Sequence, residues 1–305
     1  MAYDLIGDIH GHGRELHALL RHLGYGREHG CYRHPSRTAV FLGDFIDRGE
    51  DQRGVLETVM QMVSRGAALA VMGNHEFNAL AFHTRHADGQ DGWLRPRSDK
   101  NIGQHLAFLR EALPDRAFLG RALDFFWSLP LWLELDGLRV VHACWDPSQI
   151  EFLRSRTGPG NRMTQDLLVK ASTMGTPEHQ AIETVLKGIE QNLPEGGHVV
   201  GNEQRRRRAV RIKWWEPHPQ TLGTASFAPK LDAGQASLPV RRDKLIGYPP
   251  GSPPVFIGHY WLRGDPAPLA DNLACLDYSV AKNGKLVAYR WDGEQVLDPW
   301  RFHHA

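Results

Sequence analysis

Thr38-Ala39-Val40-Phe41-Leu42-Gly43-Asp44-Phe45-Ile46-Asp47-Arg48-Gly49 is the stretch on which the reading of this chain turns. A short apolar run closes on a Gly-Asp pair, and polar groups follow where more core would continue a longer element. The same figure stands on either side of it. Tyr3-Asp4-Leu5-Ile6-Gly7 is too brief for a helix and ends at Asp8, and Ala67 to Met72 ends at Gly73-Asn74. Between these runs lie two helical patterns, Leu16, Leu19, Leu20 and Leu23 within Arg14 to Leu23, then Val55, Val59, Met62 and Val63. Strand, helix, strand, helix, strand predicts right-handed crossovers on a largely parallel sheet.

Further along, residues 104–128 read as helical, with Pro114 opening a second helix. Leu131 to Leu135 and Leu138 to Val141 read as a hairpin turning at Asp136-Gly137. Residues 177–190 read as a helix opened by Thr176-Pro177 and closed near Gly188. Residues 217–254 carry 8 of the 19 prolines and no sustained periodicity, so they read as a long irregular excursion. Val255 to Gly258 returns to strand character. Leu273 to Val280 and Leu286 to Trp291, joined at Asn283-Gly284, read as a closing antiparallel hairpin. There is no internal repeat.

Composition narrows the class. The 305 residues hold 36 Lys+Arg against 35 Asp+Glu, so a surface built throughout for nucleic acid is excluded while a local basic patch is not. The 41% hydrophobic and 23% charged fractions exclude global disorder. Cys31, Cys144 and Cys275 are odd in number and far apart, and read as buried thiols in a reducing compartment. No apolar run reaches the roughly 18 residues of a membrane span, and residues 2–7 run straight into a strand. The expectation is a soluble cytoplasmic protein without a membrane partner. The 17 histidines direct attention to metal or proton chemistry.

Each of the first three strand ends delivers polar groups: Gly7-Asp8-Ile9-His10-Gly11, Gly43-Asp44 through Arg48-Gly49, and Gly73-Asn74-His75-Glu76. In open α/β sheets ligands bind at the carboxyl ends of the strands, so these groups should converge on one crevice. Two carboxylates, an imidazole and an amide oxygen form a mixed N/O set suited to Mn, Fe or Zn.

These boxes, GDxHG, GDxxDRG and GNHE in that order, resemble those of the calcineurin-like metallophosphoesterases, in the branch of the phosphoprotein phosphatases and symmetrical dinucleoside-tetraphosphate hydrolases. The resemblance runs over residues 7–76, and two later histidines extend it to about residue 259. It implies an α/β fold, a sandwich of two mixed β-sheets flanked by helices with a cap-like insertion. Residues 1–305 would form a single catalytic domain, with the cap or irregular insertion within about 150–254. It also implies two divalent metal ions, manganese first, with Fe, Zn, Co or Ni as alternatives. Asp8 and His10 would hold one ion, Asp44 would bridge both, and Asn74 would bind the second. His142, at the end of Val140-Val141, and His259, after Phe256-Ile257-Gly258, would complete it. His179, His218, His303 and His304 have poorer contexts, and His198 is the main rival. Two ions about 3.5–4 Å apart would acidify a shared water and clamp phosphoryl oxygens, and the hydroxide would attack phosphorus in line. Arg48 and Asn74 would contact the phosphate. His75 would protonate the leaving oxygen, held cationic by Asp47. Glu76 is read as a structural partner that orients the loop.

One further run stands out: Arg205-Arg206-Arg207-Arg208, then Arg211, Lys213, Trp214 and Trp215. It can serve nucleic acid, with arginines on phosphates and tryptophans on bases, or be a solvated strand packing its tryptophans inward. The resemblance implies a third reading, a second phosphate-binding arginine supplied from between the two late histidines, and Arg211 is favoured because Arg-x-Lys-Trp-Trp alternates polar and apolar like a strand. His142-Ala143-Cys144-Trp145 resembles the bacterial nucleotide hydrolases, in which a small residue follows the histidine, and that resemblance tilts the substrate toward nucleotides such as dinucleoside tetraphosphates, ahead of a Ser/Thr phosphoprotein or a nucleic-acid phosphate. Residues 143–254 are expected to rim the crevice and set specificity. The oligomeric state is not read from the sequence.

Overall fold

Tyr3–Ile6, Thr38–Phe41 and Ala68–Ala70 lie side by side as parallel strands, Tyr3 opposite Thr38 and Ala39 opposite Ala68. This is the arrangement in a computed structural model that describes residues 1–86, 91–200, 206–216, 218–227 and 231–305. The crossovers are the helices Gly13–His22 and Gln52–Ser64, whose Leu16, Leu19, Leu20, Val55, Val59 and Met62 are fully buried. Lys285–Trp291 pairs antiparallel with Tyr3–Ile6 and continues the sheet, with Asp277–Tyr278 and Phe302–His304 at its far side. A second, four-stranded sheet runs in the order Leu273–Cys275, Val255–Ile257, Leu138–Val141, Trp132–Leu135.

The period of two along each strand sorts the core into layers. Leu5, Val40 and Leu42 pack with Val140, Phe256 and Ala274 between the sheets, while Ile6, Ala39 and Phe41 face the larger cluster that includes the helices. The result is a sandwich of two mixed sheets with helices outside it.

Several local expectations hold. Helices run Asp99–Ala112 and Arg116–Ser128, and the hairpin Trp132–Leu135/Leu138–Val141 turns at Gly137, φ +85°. Pro114 precedes the Asp115 cap of the second helix rather than opening it. Pro177–Lys187 is capped by Thr176, whose Oγ1 accepts from His179 N at 3.0 Å, and is ended by Gly188, φ +79°.

One expectation fails. Leu273 to Val280 is not a single hairpin arm. Leu273–Cys275 runs parallel to Val255–Ile257 in the second sheet, and only Asp277–Tyr278 pairs with Lys285 and Leu286 in the first. The chain changes sheets at Leu276, and since both sheets bury it the apolar run shows no break. The excursion over 217–254 is mostly irregular among its described residues, with short helices at Leu222–Ala225 and Ala233–Ala236. Just before it, Glu190–Asn192 and Ala209–Ile212 form a small sheet with Ser226–Phe227. Trp214 Nε1 donates to Ala143 O at 3.1 Å, which ties this layer to the end of the strand Leu138–Val141. No helix among the described residues is long and apolar enough to cross a membrane.

Candidate active site

The strand ends meet because two glycines let their backbones touch. A Cβ on Gly43 would lie 2.4 Å from Gly73 N, and one on Gly73 would lie 2.2 Å from Asp44 Oδ1. Only Gly fits this approach, and Gly43 also sits at φ +92°. Glu76 then locks the junction. Its buried carboxylate accepts from Asp44 N (2.8 Å), Phe45 N (2.9 Å) and Gly73 N (2.9 Å), which makes it the loop-orienting partner the sequence suggested.

The residues following the strands are bent into left-handed backbone. His10, Asp44, Asp47, Arg48, His259 and Trp261 all have positive φ, from +47° for His10 to +75° for Arg48. Non-glycine residues rarely adopt this conformation, and their clustering marks a place where side-chain direction outweighs backbone comfort.

Asp44 stands at the centre. Its Oδ2 lies 3.6 Å from His10 Nε2, 3.4 Å from His142 Nε2 and 3.9 Å from His75 Nε2, and its Oδ1 accepts from His75 N at 2.9 Å. Two sets of potential ligand atoms share it, His10–Asp44–His75 and Asp44–His142–His259, each set within 4.8 Å. Asn74 Oδ1 is 3.3 Å from His142 Nε2. Asp8 Oδ2 accepts from His259 N at 3.0 Å. Every ligand residue anticipated from the sequence is therefore gathered at one place. His198 is exposed and stands outside both sets.

The donor set fits divalent metal. Asp8 Oδ1, His10 Nε2 and His259 Nε2 are buried with no hydrogen-bond partner among the described residues, and a buried polar atom is rarely left so. His10 Nδ1 and His142 Nδ1 donate to Ile46 O and Leu42 O, at 3.0 and 2.7 Å, which turns each Nε2 inward. Burial, aided by His75, lowers the His10 imidazole to about 4, and burial with Arg211 holds His259 well below its ordinary value. Both rings thus keep a lone pair at neutral pH. Burial alone would raise Asp44, but His142, His75 and His10 outweigh it and hold the carboxyl well below the usual range.

Beside this cluster His75 Nδ1 donates to Asp47 Oδ2 at 2.5 Å. Burial works against a charge on His75, yet Asp44 and Asp47 outweigh it and raise the ring's pKa. The other Asp47 oxygen accepts from His105 Nδ1 at 2.8 Å, from a residue that the sequence reading passed over. Burial raises the Asp47 carboxyl, and the two imidazoles more than reverse this, holding it below the ordinary carboxylate range.

A crevice of about 1400 Å³ opens from Asp44, Asn74 and His75. Arg48, exposed, lines it with its guanidinium 5.3 Å from the Trp261 ring. Arg211 lines the same crevice from the small sheet. Its side chain is 15% exposed, its guanidinium lies 5.5 Å from the Tyr260 ring, and its buried Nε has no partner among the described residues. Arg206, Arg207 and Arg208 are exposed on the same crevice, and Arg205 lies outside the described residues. Trp214 and Trp215 are 0% and 6% exposed, so the reading in which they stack on bases is corrected: they pack inward, Trp215 edge-on to Tyr260.

Known proteins resemble this chain in sequence and in fold. A protein of Oceanobacillus iheyensis named bis(5'-nucleosyl)-tetraphosphatase PrpE [asymmetrical] is 45% identical over 144 residues, 47% of this chain and 55% of that one. A Geobacillus protein of the same name is 42% identical over 146 residues, 47% of this chain and 56% of that one. The chain thus spans about half the length of these curated relatives. A solved structure titled as a cold-active protein tyrosine phosphatase covers 99% of this chain and 78% of its own at TM-score 0.50 and 14% identity, a likeness of fold alone. The profile of the calcineurin-like phosphoesterases matches residues 1–156, the half that carries all three boxes and His142, and the chain belongs to that family.

Proposed function

We propose that this protein hydrolyses phosphoester or phosphoanhydride bonds with two divalent ions, on nucleotide-type substrates such as dinucleoside tetraphosphates. The observation that carries the reading is the pair of His/Asp clusters sharing Asp44 at the floor of the crevice, with the Asp47–His75 pair beside them. Asp8, His10, Asp44, Asn74, His142 and His259 are the proposed metal ligands, and manganese is the proposed metal. Bound ions supply Lewis acidity, lowering the pKa of water and neutralising phosphoryl charge.

The chain's own groups do the rest. Arg48 and Arg211, on the crevice wall, bind phosphoryl oxygens, with Asn74 adding its amide. His75 holds a proton on the ring nitrogen facing the crevice and delivers it to the leaving oxygen, while Asp47 fixes the ring and favours its cationic form. The names of the relatives support a dinucleoside tetraphosphate. Three buried free thiols support the cytoplasm as the compartment.

The test is metal analysis of the purified protein followed by turnover with manganese. The substrates are diadenosine tetraphosphate, p-nitrophenyl phosphate, a phosphoserine peptide and a 3′-phosphorylated oligonucleotide. The proposal expects the first to be preferred. Two ADP would mean symmetrical cleavage, and ATP with AMP the asymmetrical cleavage in the relatives' names. No turnover of any of the four would overturn the hydrolase reading.

A further inference from the structure

Asp47 is held from two sides. One oxygen takes the Nδ1 proton of His75 and the other that of His105, at 2.5 and 2.8 Å. His105 comes from the middle of the helix Asp99–Ala112, is 5% exposed, and reaches a residue 58 positions away in sequence. Its second ring nitrogen, Nε2, is buried with no partner among the described residues. The ring packs among aromatic neighbours, 4.9 Å from Phe108, 5.3 Å from Phe82 and 5.8 Å from His83, centroid to centroid. A carboxylate oxygen can only accept, so the Nδ1 that faces Asp47 is the ring nitrogen that carries the hydrogen of this bond. That makes His105 a fixed donor to Asp47.

The consequence lies one step further on. A carboxylate with a single partner can pivot about its Cβ–Cγ bond and offer either oxygen. With Oδ1 occupied by His105 and its own backbone N–H tied to Gln52 Oε1 at 2.7 Å, Asp47 presents Oδ2 to His75 in one direction only. His75 Nε2 then lies 3.9 Å from Asp44 Oδ2, in the crevice that both residues line. We propose that His105 is a positioning residue for the proton donor His75, acting through Asp47 and touching neither substrate nor metal. This rests on the reading of His75 as general acid. Outer partners that orient metal-ligating histidines typically contribute about 10–100-fold in activity, and an effect of that order is expected for a partner that orients a proton donor.

Two variants separate positioning from bulk structure. His105→Asn keeps a side-chain donor near the place of Nδ1, and His105→Ala removes it. The measurements are kcat and KM with manganese on p-nitrophenyl phosphate, whose leaving group needs no proton, and on an alkyl phosphate, whose leaving group does. Expected for His105→Ala is a loss of about 10–100-fold in kcat on the alkyl ester, little change on the aryl ester, and unchanged KM and metal content. His105→Asn should recover most of that loss. Equal losses on both esters, or an Asn variant no better than Ala, would overturn the proposal. A crystal structure of each variant gives a readout independent of turnover: the His75 ring displaced in Ala and in place in Asn. A ring that stays put in both would also overturn it. Should the unsubstituted protein turn over neither these esters nor diadenosine tetraphosphate, the hydrolase reading falls, and the ring positions would still decide this one.

Discussion

Gly258→Ala tests the metal centre through a single carbon. Gly258 precedes His259, and its φ lies outside the positive region, so alanine suits its backbone. Its surroundings do not suit alanine. An added Cβ would lie 2.0 Å from Asp8 Oδ1 and 3.0 Å from Asp8 Cγ, where an ordinary contact begins at 3.4 Å. The oxygen must therefore retreat by about 1.4 Å, or the strand Val255–Ile257 must shift with its neighbours. Asp8 cannot swing away freely, because Oδ2 accepts from His259 N at 3.0 Å. Metal sites accept ligand displacements of only about 0.2 Å, so the expected loss of Mn affinity is about 10–100-fold, or roughly 1.4–2.7 kcal/mol. Titration calorimetry of chelator-stripped protein with Mn, checked by elemental analysis after gel filtration, measures it. Gly103→Ala is the control: it lies within the helix Asp99–Ala112 with nothing within 4 Å of its Cβ, and should gain about 1 kcal/mol of stability with metal binding unchanged. A Gly258→Ala protein that binds Mn as the original does would refute the place assigned to Asp8.

Other tests use different parts of the site. Glu76→Ala orphans three buried N–H groups and should cost about 3–5 kcal/mol in urea unfolding of the stripped protein; a cost under about 1 kcal/mol would show the junction to be held elsewhere. His75→Ala should lose about 10²–10⁴-fold in kcat on a poor leaving group and much less on p-nitrophenyl phosphate, and equal losses would remove the acid role. Arg211→Ala should lower kcat/KM on diadenosine tetraphosphate by about 10–100-fold; unchanged kinetics would send phosphate binding to another arginine. Burial closes off the three thiols and pushes those of Cys144 and Cys275 well up. A disulfide-exchange reagent should find none in the native protein and three after unfolding, and prompt native labelling would contradict the packing.

The legible part of this site is the part written next to its strands. Asp8, Asp44 and Asn74 each follow an apolar run within one or two residues, so a strand end and a proposed ligand appear in the same short phrase. His142 and His259 obey the same grammar, which is why they stand out from the other late histidines. His105 does not. Its helix gives it the spacing of any buried-face residue, and its partner in the second box is brought to it only by tertiary packing. The helix Pro147–Arg154 was legible and passed over: Asp146 caps it and Pro147 opens it, and Asp-Pro before an apolar residue is a start signal. The sheet change at Leu276 was not legible, because a strand buried in either sheet has the same composition. Burial of Trp214 and Trp215 is a matter of direction, which neighbouring arginines in sequence do not reveal.

The left-handed residues at the strand ends have a bearing on how this protein would respond to selection. At His10, Asp44, Asp47, Arg48, His259 and Trp261 a glycine would relieve backbone strain on the order of 1 kcal/mol apiece. A library screened for heat resistance alone should accumulate glycine or asparagine at these positions. The survivors would be sturdier folds with the chemistry erased, and the map of where they gained would trace the outline of the crevice floor.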